Sequence, residues 1–252
     1  MTGDRVIGPA FALMEDLPPA VVVVLEEFVA TLLQVAGPQL DSVILFGSAA
    51  EGRLRSTSDV NLLVVAEGLT LSQLDAVRLS LQAGRSAAGL TVMFLEKAEL
   101  ANAAEAFAVK FMDIKARHRV LYGKSPLDSF EISRDAALRR VRQVLLNLTV
   151  RLRERYVIDG NHEERLARIL ADITGPIRAS AATLIALRDG RTLAPKAALE
   201  EIFAGDGSWG ACLSGLSAVH RDEHLPPGAT RHLFGEVLRL LTALDAIAYS
   251  LS

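Results

Sequence analysis

The stretch over residues 42–66 constrains the fold of this 252-residue chain more than any other part of it. An apolar run at 43–46 ends at a Gly-Ser pair at 47–48, and a segment of small residues and arginines follows. A polar segment, 58–61, then leads into a second apolar run at 62–65. Short apolar runs that are rich in β-branched residues and bounded by turn residues are typical of buried strands. The pattern predicts a strand, a glycine turn that opens a helix, and a return strand whose polar first residues lie beside that turn.

This arrangement indicates a phosphate and metal site. A glycine turn at a helix N-terminus can present backbone N–H groups and the positive end of the helix dipole to a phosphate. An acidic residue at the facing strand end, here Asp59, could hold a metal ion that bridges the same phosphates.

The Gly-Ser pair at 47–48, followed by Ser-Asp-Val-Asn at 58–61, resembles the signature of the nucleotidyltransferase superfamily related to DNA polymerase beta. In that family Gly-Ser precedes Asp-x-Asp or Asp-x-Glu, and both acids bind Mg²⁺. The resemblance implies transfer of a nucleoside monophosphate from ATP or another NTP to a small-molecule or protein hydroxyl, with Mg²⁺ as cofactor. By the same resemblance the catalytic residues are Asp59 (also the metal ligand) and Asn61, and the nucleotide-binding residues are Gly47, Ser48, Ser58 and Arg53.

The chain departs from this pattern where the acids are expected. Asn61 occupies the position of the second acid, and Thr91 occupies the position of the third, on the strand predicted for 90–95. Glu96 ends that strand, but strand alternation places it on the face opposite Thr91. Because a neutral amide coordinates Mg²⁺ weakly, we expect a transferase activity that is weak or lost. The alternative is a non-catalytic protein, a pseudoenzyme, that uses the same fold to bind a nucleotide, a small molecule or a protein partner.

A further departure lies in the turn itself. The family often carries arginine four positions after the glycine, where this chain has Glu51, so Arg53 or Arg55 would have to take that role. A third option is that the motif is coincidental and that Asp59 is an ordinary turn carboxylate.

The rest of the chain predicts an α+β protein: a small nucleotidyltransferase-like mixed sheet with helices, followed by an all-α helical bundle. Helical periodicity at 20–35, 70–87 and 99–118 alternates with strand candidates in the first half, which implies a sheet covered by helices. Thr70 is the expected N-cap of the second of these helices. The predicted organisation is an α/β domain at 1–123, a linker at 124–131 and a bundle at 132–252.

The bundle is predicted to contain four to six helices. Gly175-Pro176 is expected to kink or split the helix over 163–188. As in bacterial nucleotidyltransferases with such a bundle, the acceptor would lie in a cleft between the two parts. The arginine-rich helix 134–155 could face a triphosphate or an acidic partner, or could be a solvated face that pairs with acids elsewhere.

The charge and the apolar content of the chain limit the classes of partner that it could bind. The net charge of −3 does not favour a nucleic-acid or membrane-surface protein. No uncharged apolar run reaches the roughly 18 residues of a membrane span, and the N-terminus lacks a convincing secretory signal. We therefore expect a cytoplasmic protein that binds a nucleotide and an unknown acceptor. Cys212 is expected to be a buried apolar residue, and the apolar C-terminal helix could serve a homodimer.

Two further spacings have ordinary explanations. His220 and His224 with Glu223 match a zinc-protease pattern, but prolines follow at once, so a solvated helix end is the favoured interpretation. Arg155 and His162 match the loose spacing of HEPN ribonuclease bundles, but His162 falls in a predicted turn.

Overall fold

The structure of the protein, a computed structural model, describes residues 14–54, 59–221 and 225–251. The strands in these ranges are β1 (Leu40–Phe46), β2 (Val60–Ala66), β3 (Leu90–Glu96) and β4 (His118–Gly123). The α-helices in the same ranges are α1 (Pro19–Ala36), α2 (Leu71–Ala88), α3 (Leu100–Ala106), α4 (Ala108–Ala116), α5 (Arg134–Asp159), α6 (Glu163–Asp189), α7 (Pro195–Ile202), α8 (Gly210–His220) and α9 (Ala229–Ser250). A mixed sheet with helices, followed by a helical region, confirms the predicted α+β class.

The strands form one mixed sheet in the order β3-β2-β1-β4. β1 is antiparallel to both β2 and β4, whereas β2 and β3 are parallel. Phe46, the last residue of β1, pairs with Asn61 on one side and with His118 on the other. Asn61 pairs in turn with Thr91. This topology brings the end of β1 and the starts of the other three strands to one edge, which we call the Phe46 end of the sheet.

Helices α1 and α2 cover one face of this sheet. The apolar periodicity of α1 is realised as a buried stripe that includes Leu25 and Phe28 and packs with Val43 and Leu45 of β1. Alternate strand residues such as Ile44 are also fully buried, so both faces of β1 are covered. Burial on both faces explains why the apolar runs at 43–46 and 62–65 are nearly continuous rather than alternating.

The start of α2 confirms the predicted cap at Thr70. The Thr70 hydroxyl accepts a hydrogen bond from the backbone N–H of Gln73 at 3.2 Å, and the Gln73 side chain accepts one from Thr70 N at 3.0 Å. This reciprocal capping box satisfies two N–H groups that the helix itself cannot. The helix ends at Gly89 in the left-handed conformation.

The segment after β1 differs from the prediction. Residues 47–52 form consecutive turns, and no α-helix occurs within the described residues 47–54. Backbone hydrogen bonds from Glu51 N to Gly47 O (3.3 Å) and from Gly52 N to Ala49 O (3.1 Å) close these turns. The prediction that the glycine turn opens a helix is therefore wrong. Gly52, with φ +68°, interrupts a right-handed helix after a single turn.

The single helix predicted over 99–118 is also wrong, because α3 and α4 are separate and meet at Phe107. Ala104 and Ala108, on either side of the break, are both fully buried. The segment 119–123, for which the sequence predicts a short strand or a turn, is a strand, β4, which begins one residue earlier.

The helices from α5 to α9 surround a second core, which includes Leu145, Ile177 and Phe234. α6 continues through Pro176, so the option of two separate helices is wrong. Buried residues before and after the proline, such as Leu170 and Ile177, tie both halves of α6 to this core. That packing outweighs the hydrogen bond lost at proline, a cost of about 3 kcal/mol. Cys212 is buried as predicted, and burial raises the pKa of its thiol to about 12.

The contacts divide the chain into two compact units. The first comprises residues 1–104 and 114–131, and the second comprises 105–113 and 132–252. The second unit thus includes part of α4 together with the bundle helices. The division into an α/β domain at 1–123, a linker at 124–131 and a helical bundle at 132–252 stays a prediction.

Two segments, Pro19–Gln39 and α6, are long and apolar enough to cross a membrane by length and composition alone. Each carries a buried stripe that belongs to one of the two cores. Core packing therefore accounts for the apolar residues of these stripes.

Candidate functional site

The Gly47 turn begins directly at the Phe46 end of the sheet. Gly47 has φ +79°, a conformation that favours glycine, and its N–H donates to the backbone carbonyl of Arg117 at 3.1 Å. A Cβ placed on Gly47 would lie 3.8 Å from Nδ2 of Asn61. The glycine therefore contributes a tight turn beside Asn61, while its own N–H is already used within the fold.

Asn61 is held by two hydrogen bonds that fix its amide. Its Oδ1 accepts from the Thr91 hydroxyl at 2.8 Å, and its Nδ2 donates to the backbone carbonyl of Asp59 at 3.2 Å. A carbonyl oxygen can only accept, so the atom facing Asp59 must be the amide nitrogen. The neighbouring starts of β2 and β3 thus carry a neutral Asn61–Thr91 pair.

The remaining residues predicted for the site lie around this pair. Asp59 is exposed and directly precedes β2, while Ser48 is half-buried in the turn. Arg53 is exposed, and its backbone N–H donates to the carbonyl of Ser48 at 2.9 Å. Ser58 and Arg55 lie outside the described residues. The structure therefore places Gly47, Ser48, Asp59 and Asn61 around the Phe46 end, and it leaves their functional roles as predictions.

Arg117 is a residue of this region that sequence reasoning missed. Its guanidinium Nη1 contacts Oε2 of Glu51 at 3.0 Å, and both side chains are largely buried. Since the Arg117 carbonyl also accepts the N–H of Gly47, one residue holds both ends of the turn. Glu51 stands where the resembled family often carries arginine, and here it is neutralised by an ion pair. The only signal in the sequence was an unexplained acid at 51, because its partner is 66 positions away.

The segment before α1 also supports the turn. Asp16 forms an ion pair with Arg119 of β4, with Oδ1 accepting from Nη1 at 2.8 Å. This hydrogen bond lowers the pKa of Asp16. A Cβ on Gly52 would overlap with the Asp16 carboxylate, so glycine is required where the turn passes beneath this segment.

The residues present do not fit a site for two divalent cations. Mg²⁺ prefers several anionic oxygen ligands, but Asp59 supplies the one carboxylate among the three positions where the family has acids. Asn61 and Thr91 are neutral, and they use their oxygen atoms to bond each other. Glu96 ends β3, five residues beyond Thr91, where its carboxylate accepts the N–H of Leu69 at 3.1 Å. Within the described parts of the chain no three His, Cys, Asp or Glu side chains are grouped so that they could hold a metal.

Comparison with known proteins gives a structural match without a sequence match. No protein-family model matches the chain, and no curated protein matches it in sequence. Among solved structures, the chain is similar to spectinomycin adenyltransferase AAD(9) from Enterococcus faecialis, which was determined with ATP and spectinomycin. The TM-score is 0.59 at 12% identity, over 88% of this chain and 97% of that one.

This chain has a nucleotidyltransferase fold. The structural similarity confirms the fold that the resemblance of the motif at 47–61 implied. Identity this low establishes the fold alone, so activity has to be argued from the site. Within this fold, the hydrogen-bonded Asn61–Thr91 pair occupies two positions where the resembled family has acids.

Proposed function

We propose that this protein binds a nucleoside triphosphate, with ATP as the first candidate, at the Gly47 turn, and that its nucleotidyl transfer is weak or lost. The observation that carries the proposal is the hydrogen-bonded Asn61–Thr91 pair beside that turn. Transfer of a nucleotidyl group needs cations to neutralise charge on the phosphates and to activate the attacking oxygen. A neutral pair removes the anionic ligands for those cations, while donors that suit phosphate remain.

Several groups at this end of the sheet suit a phosphate chain. The Asn61 amide and the Ser48 hydroxyl are hydrogen-bond donors, and the exposed guanidinium of Arg53 can pair with phosphate oxygens. The similar adenyltransferase was determined with ATP. These features support a nucleotide as the ligand.

Calorimetric titration with ATP tests the binding. Arg53→Ala is expected to weaken the ATP affinity about tenfold, because a charge-assisted hydrogen bond to phosphate is lost. Arg85→Ala is the matched control, because it removes an exposed arginine from α2 and should leave the affinity unchanged. If ATP does not bind, or if both substitutions weaken it equally, the proposed site is wrong.

The second candidate is metal-dependent transfer of a nucleoside monophosphate to a hydroxyl acceptor. Asp59 favours it, because this exposed carboxylate directly precedes β2 as the first acid of the family does. Labelled ATP would be incubated with Mg²⁺ or Mn²⁺ and hydroxyl acceptors, spectinomycin among them. Transfer that Asp59→Ala abolishes and Asp75→Ala retains would establish catalysis. Binding of ATP without transfer to any acceptor would support the non-catalytic alternative.

The remaining expectations belong to the same proposal. The partners are a nucleotide and an acceptor of unknown identity, and the net charge of −3 does not favour nucleic acid. We propose a cytoplasmic location, and a homodimer stays one option for the apolar C-terminal helix.

A further inference from the structure

We propose that nucleotide binding at this site needs no divalent cation, because Asn61, at the position where the resembled family presents a carboxylate to the metal, directs its amide N–H₂ group toward the Gly47 turn. This inference rests on the proposed function. It adds that a hydrogen-bond donor of the protein, rather than a bound metal ion, contacts the phosphates of the bound nucleotide.

The orientation of the Asn61 amide carries the first step. Oδ1 is the one atom of this side chain that could ligate a cation, and it accepts the Thr91 hydroxyl at 2.8 Å. Nδ2 is on the side of the Asp59 carbonyl, 3.2 Å away, and lies near the Gly47 turn. The turn therefore faces the N–H₂ group of the amide and not its oxygen.

The second step concerns the ligand that such a group accepts. A primary amide carries two N–H donors, and Asp59 O accepts one of them, so the group keeps a second N–H. An N–H group carries partial positive charge, which opposes a cation and attracts an anionic phosphate oxygen. A carboxylate at the same position would attract the cation and oppose the phosphate. Asparagine in place of aspartate therefore makes position 61 favour a phosphate oxygen over a cation.

The third step concerns net charge near the turn. Glu51 is paired with Arg117 at 3.0 Å, so it adds no unbalanced negative charge. Asp59 is one exposed carboxylate and Arg53 is one exposed guanidinium in the same stretch, and the sequence adds a second arginine, Arg55. The stretch therefore carries no excess of negative charge, whereas the family's three acids would create an anionic site that needs cations before it could accept a triphosphate.

The test compares ATP affinity by calorimetry in excess EDTA and in Mg²⁺, using the full chain. For the native protein we expect the two dissociation constants to agree within about threefold. Asn61→Asp should weaken ATP binding in EDTA by about tenfold, through loss of a donor and gain of a repulsive charge, and Mg²⁺ should restore much of it. Asn102→Asp, the same substitution at an exposed position of α3, should behave like the native protein in both buffers.

The outcomes separate this inference from the proposed function. Binding that weakens about tenfold or more when EDTA replaces Mg²⁺ would overturn the inference and leave nucleotide binding intact. Absence of ATP binding in both buffers would overturn both. The native protein alone decides these cases, so the test does not depend on the folding of Asn61→Asp.

Discussion

Asparagine and aspartate have nearly the same shape, so the exchange at position 61 changes charge without requiring a different backbone. Two carboxylates at the adjacent positions 61 and 91 would repel each other unless a cation lay between them. Asn61 and Thr91 instead satisfy each other through a 2.8 Å hydrogen bond. At the scale of single residues, this neutral pair therefore needs no metal ion to offset repulsion between positions 61 and 91.

Gly123, at the end of β4, gives a prediction about stability. It has φ +76°, and a Cβ there would overlap with the backbone carbonyl of Asp41. Gly123→Ala should lower the free energy of unfolding of the first unit by about 2–4 kcal/mol, because neither backbone can move without disturbing the β1–β4 pairing. Urea denaturation followed by circular dichroism measures the change.

Gly68→Ala is the matched control for this prediction. Gly68 belongs to the same unit and also has a positive φ, +63°, but a Cβ there would meet only the Gln39 side chain at 3.8 Å. Its cost should be about 1 kcal/mol, from backbone conformation alone. Equal losses for the two variants would show that the clash at Gly123 is relieved by relaxation.

At the scale of elements, the arginines of α5 are used largely within the second unit. Arg142 donates to the carbonyl of Ala248 at 3.1 Å and lies 4.1 Å from the ring centroid of Tyr249. Arg134 donates to Leu251 O at 3.0 Å, so both arginines meet the C-terminal end of α9, where a positive charge is favourable. These contacts support the interpretation that some arginines of the helix predicted at 134–155 bond to other groups of the same protein.

The connection between α5 and α6 is organised by Asp159. This carboxylate is only 4% exposed and contacts Arg155 at 3.4 Å and Arg165 at 3.2 Å. The backbone carbonyl of Asp159 accepts the N–H of His162 at 2.8 Å. The spacing of Arg155 and His162 therefore reflects a structural turn, with the arginine directed to Asp159.

Asp159→Ala should lower the free energy of unfolding of the second unit by about 1–3 kcal/mol, because it removes the shared partner of two arginines. The arginines themselves are half-exposed, so water compensates for part of the loss. Asp172→Ala, at an exposed position of α6, should change stability by less than about 0.5 kcal/mol. A negligible loss at Asp159 would mean that the turn holds without its carboxylate.

At the scale of the whole molecule, Val109 tests the division into units. By sequence position it falls in the predicted domain 1–123, yet it is buried in the core formed with α5 to α9. Val109→Ala should lower the stability of the second unit by about 1–2 kcal/mol. Trp209, the single tryptophan of the chain, lies in that unit and reports its unfolding by fluorescence.

Val77→Ala provides the comparison, since Val77 is a buried helical valine of the first core. It should shift the denaturation midpoint of circular dichroism while leaving the Trp209 transition in place. If both variants shift the Trp209 transition equally, the two units unfold as one cooperative body.

Much of the fold could be predicted because its signals are local. The capping box at Thr70 depends on residues three positions apart, and the buried runs at 43–46 and 62–65 identify their strands by composition. The glycine turn at 47–48 was predicted, but its continuation as turns over 47–52 in place of a helix was not, because Gly52 lies against Asp16, far away in the sequence. The ion pair of Glu51 with Arg117 was equally hidden, since it links positions 66 residues apart.

By itself, the sequence determined the class of fold, the motif at 47–61 and the presence of Asn61 and Thr91 in place of acids. These features can be identified from residue type and spacing, because each depends on residues that are close together in the sequence. Only the tertiary structure decided that Asn61 and Thr91 bond each other, and that the amide nitrogen of Asn61 is on the side of the Gly47 turn. The register between β2 and β3 brings these side chains together, and register is a property of the assembled sheet.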